Sequence, residues 1–217
     1  IRVEKTPEII TRMHERYDVN RHPRSLFSPS ALNTYLDCRL KFYYRYVAGL
    51  KAPDEVSAEI DSALFGTIFH RAAELVYKDL TANGKEIRKE DLDQVLRNDI
   101  KLQNYVDIAF KEEFFHVALT EKPEYNGTQL INAKVITSYL RQLLRNDLQY
   151  APFFMEGMEK KVTEIIEIET SQGKLALNIG GTIDRIDSKD DTLRIVDYKT
   201  GGSPKTPENI KQLFTPA

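Results

Sequence analysis

Three charged residues in the last fifth of the chain have types and spacing that could form one chemical site. Asp184 lies near the end of a predicted β-strand, and Asp197 and Lys199 lie two residues apart on the next strand. Aliphatic and β-branched residues alternate with polar ones on both sides of the polar turn 188–191, which predicts a β-hairpin over residues 174–202. Residues two apart on a strand share a face, so Asp197 and Lys199 point the same way.

The register of this hairpin decides whether the three side chains meet. We expect the turn to set Asp187 opposite Thr192. Asp184 then faces Ile195, and the carboxylates of Asp184 and Asp197 are diagonal neighbours on one face. Diagonal positions are roughly 7 to 8 Å apart at the backbone, within reach of two carboxylates that share a cation. A slip of one residue would send Asp184 to the opposite face.

Two carboxylates that converge on one point repel each other, and a shared proton or a divalent cation relieves the repulsion. Oxygen ligands with few protein donors suit magnesium or manganese, which keep waters for a phosphate to displace. A lysine two residues after the second aspartate can hold an attacking water and offset the charge that develops on phosphorus. The triplet therefore indicates metal-assisted phosphodiester hydrolysis.

An Asp-x-Lys triplet is a weak signal by itself, because chance gives about one in a chain of this length and most such lysines are solvated. The composite pattern is much rarer, since it needs GGTIDRID, a short hairpin and then IVDYKTG. In that order these segments resemble the core of the PD-(D/E)XK nuclease superfamily. They are most similar to its RecB-like branch, which includes the nuclease domains of AddA and AddB in bacterial helicase-nucleases. The resemblance covers the chain from about Ser28 onward.

The resemblance implies an α/β fold with a restriction-endonuclease-like core. This core is a small mixed or antiparallel sheet flanked by helices, with a helical insertion at about residues 85–150. The family also has an upstream histidine on a helix, in a Gly-x-x-x-His setting that Gly66 to His70 fits. A helical histidine beside a phenylalanine is more often a core residue, but the resemblance favours a metal ligand.

The resemblance also implies a role for each matched residue. His70, Asp184 and Asp197 would hold magnesium or manganese, together with the backbone carbonyl of Tyr198. Lys199 would position and activate the attacking water.

Four further residues are supporting candidates. Glu74 lies one helical turn after His70 and is either its partner or an exposed charge. Thr200 and Gly201 would shape the floor under the phosphate. Gln212 would be the glutamine that the family carries after its lysine motif, although the later tyrosine is replaced by Pro216.

Helical periodicity and capping residues predict the elements that position these residues. Ser28 and Pro29 open an amphipathic helix that continues to Val47, with Gly49 as its stop. The other predicted elements are a short helix at 7–17, helices from about 61 to 83, 90 to 115 and 128 to 150, a strand at 158–170, and a final short helix at 208–214.

One face of the helix after Ser28 mixes basic and aromatic residues. Arg39, Lys41 and Arg45 alternate with Phe42 and Tyr44. Such a mixture suits the backbone and bases of DNA, and an ordinary solvated face explains it equally well. We therefore keep the three basic residues as candidate DNA-binding residues.

Cys38 is the only cysteine in the chain. AddB-like proteins place a cysteine in a similar setting in an iron-sulfur cluster with three others, and a single thiolate cannot hold such a cluster. We therefore expect no cluster within this chain, and we interpret Cys38 as a packing residue. An iron-sulfur cluster that includes Cys38 would need cysteines from outside this chain.

Composition and charge limit the class of protein. The chain has 217 residues and a formal net charge of −2, and its first 53 residues carry ten Lys and Arg against five Asp and Glu. We predict a lead-in or linker at 1–27 and one nuclease domain at 28–217, truncated at its C-terminal end. No apolar run approaches the length of a membrane span, so we expect a soluble cytoplasmic protein.

These observations predict a metal-dependent DNA nuclease. The expected setting is the exonuclease domain of a helicase-nuclease in double-strand break repair and recombination, with DNA and a helicase module as partners. The alternative is a catalytically silent domain that serves as a DNA clamp or scaffold. A nuclease that acts on RNA or in bacterial immunity would carry the same motif.

Overall fold

A computed structural model of the chain describes residues 4–51, 59–170 and 173–201. These residues form two compact units. The first unit comprises residues 4–51, 161–170 and 173–182, and the second comprises residues 59–160 and 183–201. None of the helices in the described ranges is long and apolar enough to cross a bilayer.

The first unit contains three helices, α1 (Pro7–Tyr17), α2 (Pro29–Asp37) and α3 (Arg39–Phe42), followed by a π-helical segment, Tyr43–Val47. The predicted short helix at 7–17 is confirmed. Tyr17 and Phe42 are among the buried residues of its core. Helix α1 thus packs within this unit. The predicted domain boundary at residue 27 does not coincide with a boundary between the two units, and it stays a prediction.

The predicted single helix from Ser28 to Val47 is interrupted at Cys38. Ser28 caps α2 as expected, since its hydroxyl accepts a hydrogen bond from the Ala31 N–H at 3.2 Å. Cys38 has an extended backbone and caps α3 with its sulfur. The break changes the helical phase, so Phe42, assigned to the polar face, is buried. Cys38 itself is exposed, and its interpretation as a packing residue is wrong.

Four helices form the larger part of the second unit. They are α4 (Ser62–Leu80), α5 (Lys89–Leu96), α6 (Asp99–Phe110), which continues as the π-helical segment Lys111–Phe115, and α7 (Gly127–Tyr150). Side-chain caps fix the start of α4, at Asp61, and the start of α7, at Asn126. The predicted helix at 90–115 is divided between α5 and α6, and Asn98 caps the second piece. The helical insertion is therefore present.

Within the described residues the sheet has four strands in the order β1-β2-β3-β4. They are β1 (Glu86–Ile87), β2 (Phe153–Thr170), β3 (Gly173–Lys189) and β4 (Thr192–Val196). β1 pairs with β2, and β3 with β4, in antiparallel fashion. The predicted α/β class is confirmed, and β1 is an addition that two residues could not signal. The final helix predicted at 208–214 lies outside the described residues.

The β3–β4 hairpin has a tighter turn than expected. Only Asp190 and Asp191 connect the strands, and Asp190 has a left-handed backbone, with φ 51°. Lys189 therefore pairs with Thr192, so the predicted pairing of Asp187 with Thr192 is wrong by two residues. A shift of two keeps every side chain on its predicted face, because the strand repeat is two.

Candidate metal centre

Three side chains of the second unit converge on one point. His70 lies on α4, Glu159 on β2 and Asp184 on β3. The His70 Nδ1 atom is 3.6 Å from Asp184 Oδ1 and 3.7 Å from Glu159 Oε1. One ligand atom from each residue lies within 4.8 Å of the other two. The arrangement joins an imidazole nitrogen to two carboxylates, a donor set that holds divalent cations.

Tyr198 ties the histidine to the aspartate through its backbone. Its N–H donates a 2.6 Å hydrogen bond to Asp184 Oδ2, and its carbonyl oxygen is 3.1 Å from His70 Nε2. A carbonyl only accepts hydrogen bonds, so this contact places the proton on Nε2. In a neutral imidazole the lone pair is then on Nδ1, which faces the two carboxylates. A metal-binding histidine commonly uses its other nitrogen in this way.

Glu159 was missed by the sequence reasoning. It is one of five glutamates in β2, and its spacing does not distinguish it from the others. Its backbone has a left-handed φ of 46° within β2, so the regular alternation of side chains does not predict where this one points, and it lies in the cluster. Burial, followed by the charge of Asp184, raises the pKa of Glu159. Its Oε1 atom is buried and has no hydrogen-bond donor among the described residues.

Asp197 and Lys199 lie beside this cluster and face solvent. They form an ion pair with 2.8 Å between Lys199 Nζ and Asp197 Oδ2, and their side chains are 61% and 72% exposed. Arg185 pairs with Val196, so the register continued by one residue sets Asp197 opposite Asp184. The two aspartates thus lie on the same face of the hairpin, but the Asp197 carboxylate is not part of the cluster of His70, Glu159 and Asp184.

The supporting candidates have separate positions. Glu74 forms ion pairs with Arg71 and Lys78, the latter at 2.7 Å. Burial opposes ionisation of Glu74, but hydrogen bonds from Lys78 and Arg71 outweigh it and lower its pKa. Gly201 is exposed, and Gln212 lies outside the described residues.

Gly66 explains how α4 approaches the loop after β4. A Cβ atom at Gly66 would lie 3.3 Å from Thr200 Oγ1, closer than most side-chain contacts. A residue without a side chain therefore lets the helix that carries His70 lie against the chain that carries Tyr198 and Lys199. An open pocket of about 520 Å³ borders this contact, with Gly66, His70 and Glu159 in its wall.

Arg39, Lys41 and Arg45 are exposed residues of the first unit. The guanidinium of Arg39 lies 5.6 Å from the centre of the Tyr35 ring, and that of Arg45 lies 5.4 Å from Tyr46. We call Arg39, Lys41, Tyr44 and Arg45 the basic aromatic surface.

A family model of the PD-(D/E)XK nuclease superfamily matches residues 26–215. The chain belongs to this superfamily. The α/β architecture agrees with this superfamily, so the restriction-endonuclease-like fold class predicted from the sequence is confirmed. The RecB-like motifs GGTIDRID and IVDYKTG both lie within the matched region.

Curated relatives of this PD-(D/E)XK chain are named as ATP-dependent helicase/deoxyribonuclease subunits. The protein from Streptococcus agalactiae serotype Ia is 28% identical over 174 residues, which cover 80% of this chain and 14% of the relative. The protein from Carboxydothermus hydrogenoformans is 24% identical over 219 residues, covering 90% of this chain and 19% of the relative. The chain therefore spans less than a fifth of the length of these relatives.

Proposed function

We propose that this chain is a divalent-metal-dependent nuclease domain that hydrolyses DNA phosphodiester bonds. The observation that carries the proposal is the convergence of His70, Glu159 and Asp184 within 4.8 Å, beside an open pocket, in a chain of a nuclease superfamily.

The residues present fit a magnesium or manganese ion. Two carboxylates supply hard oxygen donors, and one imidazole nitrogen suits manganese as well. The buried Glu159 Oε1 has no donor among the described residues, which is the condition expected of an oxygen that awaits a cation. His70 Nδ1, Glu159 and Asp184 would hold the ion. Asp197 would join them from the opposite strand, whereas the Tyr198 carbonyl, which the resemblance implies as a ligand, would hold the His70 ring through Nε2 while Nδ1 binds the ion.

A bound cation would supply Lewis-acid polarisation of a phosphodiester and a more acidic water. The chain's own residues would orient this chemistry. The Tyr198 N–H fixes Asp184, and the Tyr198 carbonyl fixes the His70 ring. The Lys199 ammonium, now paired with Asp197, would position the attacking water and offset charge on the phosphate. Thr200 and Gly201 follow directly and would line the phosphate path.

We further propose that DNA is the substrate and that a helicase module delivers it. The relatives carry helicase and deoxyribonuclease in one name, which supports a DNA substrate and a helicase module. An exonuclease role in double-strand break repair and recombination is the finer part of this proposal. The basic aromatic surface of the first unit would contact the DNA, because exposed arginines and a tyrosine suit both phosphates and stacked bases.

One observation favours a second candidate, a catalytically silent domain that clamps DNA. Asp197 and Lys199 face solvent and pair with each other, and the Asp197 carboxylate does not join the three converging ligands. A clamp would bind DNA with no need for these residues.

The experiment that separates the candidates is incubation of the chain with linear, circular and single-stranded DNA, with and without Mn²⁺. We expect products only with the metal, and none from Asp184→Asn. Asp191→Asn, in the exposed turn of the same hairpin, is the matched control and should cut like the parent chain. Binding without cutting in every metal condition would support the clamp.

A further inference from the structure

Directly behind the candidate metal centre, Arg185 is fully buried. It follows Asp184 on β3, and successive residues of a strand point to opposite faces. Asp184 therefore faces the cluster with His70, whereas Arg185 faces the core, where it is 0% exposed. A charged side chain is rarely buried to this extent unless it is fully paired.

Two buried carboxylates hold the Arg185 guanidinium. Its Nη2 donates to Asp147 Oδ1 at 3.0 Å, and its Nε donates to Asp187 Oδ2 at 2.8 Å. Asp147 is 4% exposed and Asp187 is 0% exposed. The planar guanidinium has five N–H donors in a fixed geometry, so these contacts define both the position and the plane of the group.

Two aromatic rings and a hydroxyl complete the cluster. The guanidinium carbon lies 4.6 Å from the centre of the Tyr77 ring and 4.9 Å from that of Phe153. The Tyr77 hydroxyl donates to Asp147. Tyr77 lies seven residues, or about two turns, after His70 on α4, so both residues lie on the same side of that helix. The cluster thus connects the helix of His70 to the strand of Asp184.

Arg194 extends the cluster to β4. It is the residue that pairs with Asp187 in the hairpin, and its Nε and Nη2 atoms both donate to the Asp187 carboxylate at 2.9 Å. This bidentate contact stabilises the observed register. Register is essential here, because a slip of one residue would turn Asp184 away from His70.

Energetics indicate a positional role for this cluster. The cost of removing charges from water offsets most of the attraction within a buried ion pair, so such a pair is weak evidence for stability. Its directional hydrogen bonds nevertheless hold the elements that meet there in one arrangement. α4, α7, β3 and β4 all contribute residues to it.

We propose that Arg185 is a positioning residue for the metal centre, which it orders through Asp147 and Asp187 by fixing Asp184 relative to His70. The inference rests on the proposed function. Partners behind metal ligands commonly change metal affinity or activity by about 10- to 100-fold when they are altered.

The test is the double variant Arg185→Met and Asp147→Asn. It removes both charges of this ion pair together and leaves Asp187 bonded to Arg194, so no carboxylate is left uncompensated, and the fold should be retained. We expect the dissociation constant for Mn²⁺, measured by calorimetry without DNA, to rise about 10-fold or more. The kcat for DNA cleavage should fall with little change in KM. The matched control is the surface pair Arg141 and Asp99, whose side chains are 30% and 81% exposed, changed likewise to Met and Asn.

Arg185→Lys is a second variant. It keeps the charge but loses the planar fork, so it should fold and still bind Mn²⁺ more weakly than the parent chain. Folded variants that bind Mn²⁺ and cut DNA like the parent chain would overturn the inference while leaving the proposed function intact. If the double variant does not fold, Arg185→Lys decides between these outcomes. A parent chain that neither binds Mn²⁺ nor cuts DNA would overturn the proposed function and the inference with it.

Discussion

Arg71 and Arg185 of the second unit and Arg39 and Arg45 of the first lie in contrasting environments. Arg71 bonds to Glu112, and Arg185 bonds to Asp147. In the first unit, Arg39 and Arg45 lie over tyrosine rings. The ion pairs described within residues 4–51, 161–170 and 173–182 involve neither residue.

This difference separates two uses of positive charge. A guanidinium that is already bonded to carboxylates fixes local geometry, because its donors are occupied. An exposed guanidinium on an aromatic face keeps its donors available for a phosphate. We therefore expect variants of the second unit to change metal binding and chemistry, and variants of the first unit to change DNA affinity.

The largest expected effect is the loss of DNA cleavage when an aspartate of the second unit is changed. Asp184→Asn and Asp197→Asn should each lower DNA cleavage by at least about 100-fold, because each removes a proposed metal ligand. Circular dichroism should show the parent fold in both variants. Cleavage at the parent rate by either variant would remove that residue from the metal centre.

Lys199→Ala should separate metal binding from chemistry. The exposed ammonium is not one of the three converging ligands, so Mn²⁺ affinity by calorimetry should stay within about two-fold of the parent value. Single-turnover cleavage should fall by about 100-fold, since the group that positions water is lost. A variant with lost Mn²⁺ binding would instead place Lys199 in a structural role.

Substitutions in the basic aromatic surface should change DNA binding alone. Changing Arg39, Lys41 and Arg45 together to Ala should weaken binding of a fluorescent single-stranded oligonucleotide about 10-fold near 0.1 M salt, measured by anisotropy without a divalent metal. The slope of log affinity against log salt should fall by about 2, roughly 0.7 per phosphate contact.

The matched control for this surface is a charge-equivalent variant of the second unit. Lys122, Lys134 and Arg145 are all exposed, and their change to Ala removes the same net charge. An equal loss of affinity in this control would show that total charge, and not this surface, determines binding.

The smallest expected effect is on the stability of the metal-free chain. The raised pKa of Glu159 means that the folded state disfavours its ionised form, so this residue costs stability as pH rises from 4.5 through its folded pKa. Glu159→Gln should therefore raise the metal-free Tm at pH 7 by about 1–3 °C. The gain should disappear in scans below pH 4.5, and Mn²⁺ should bind the variant more weakly. A Tm gain that is the same at every pH would exclude this electrostatic cause.

The sequence predicted the elements well where local chemistry determines them. Ser28, Asp61 and Asn126 each cap a helix, because a side-chain oxygen before an apolar periodic segment satisfies the free N–H groups of the first turn. It also predicted the correct faces of the hairpin although the register was wrong by two. Side chains alternate between the two faces of a strand, so a side chain changes face only if the register shifts by an odd number of residues.

Other features depended on tertiary structure. Glu159 has a left-handed backbone within β2, and no periodic pattern signals such a local conformation. Phe42 is buried because the chain is extended at Cys38, which changes the phase of the residues that follow. Asp197 was predicted from its spacing, but its exposed ion pair with Lys199 depends on side-chain conformations that spacing does not determine.

Only two aspartates connect β3 and β4. An additional residue there could form a three-residue loop with the pairing unchanged, whereas a shift of the pairing by one residue would turn Asp184 away from His70. Asp190 and Asp191 take no part in the proposed chemistry, but the turn that they form sets which residues of β3 and β4 pair with each other. Insertions and deletions at this two-residue connection therefore preserve the metal centre only if they preserve the strand pairing.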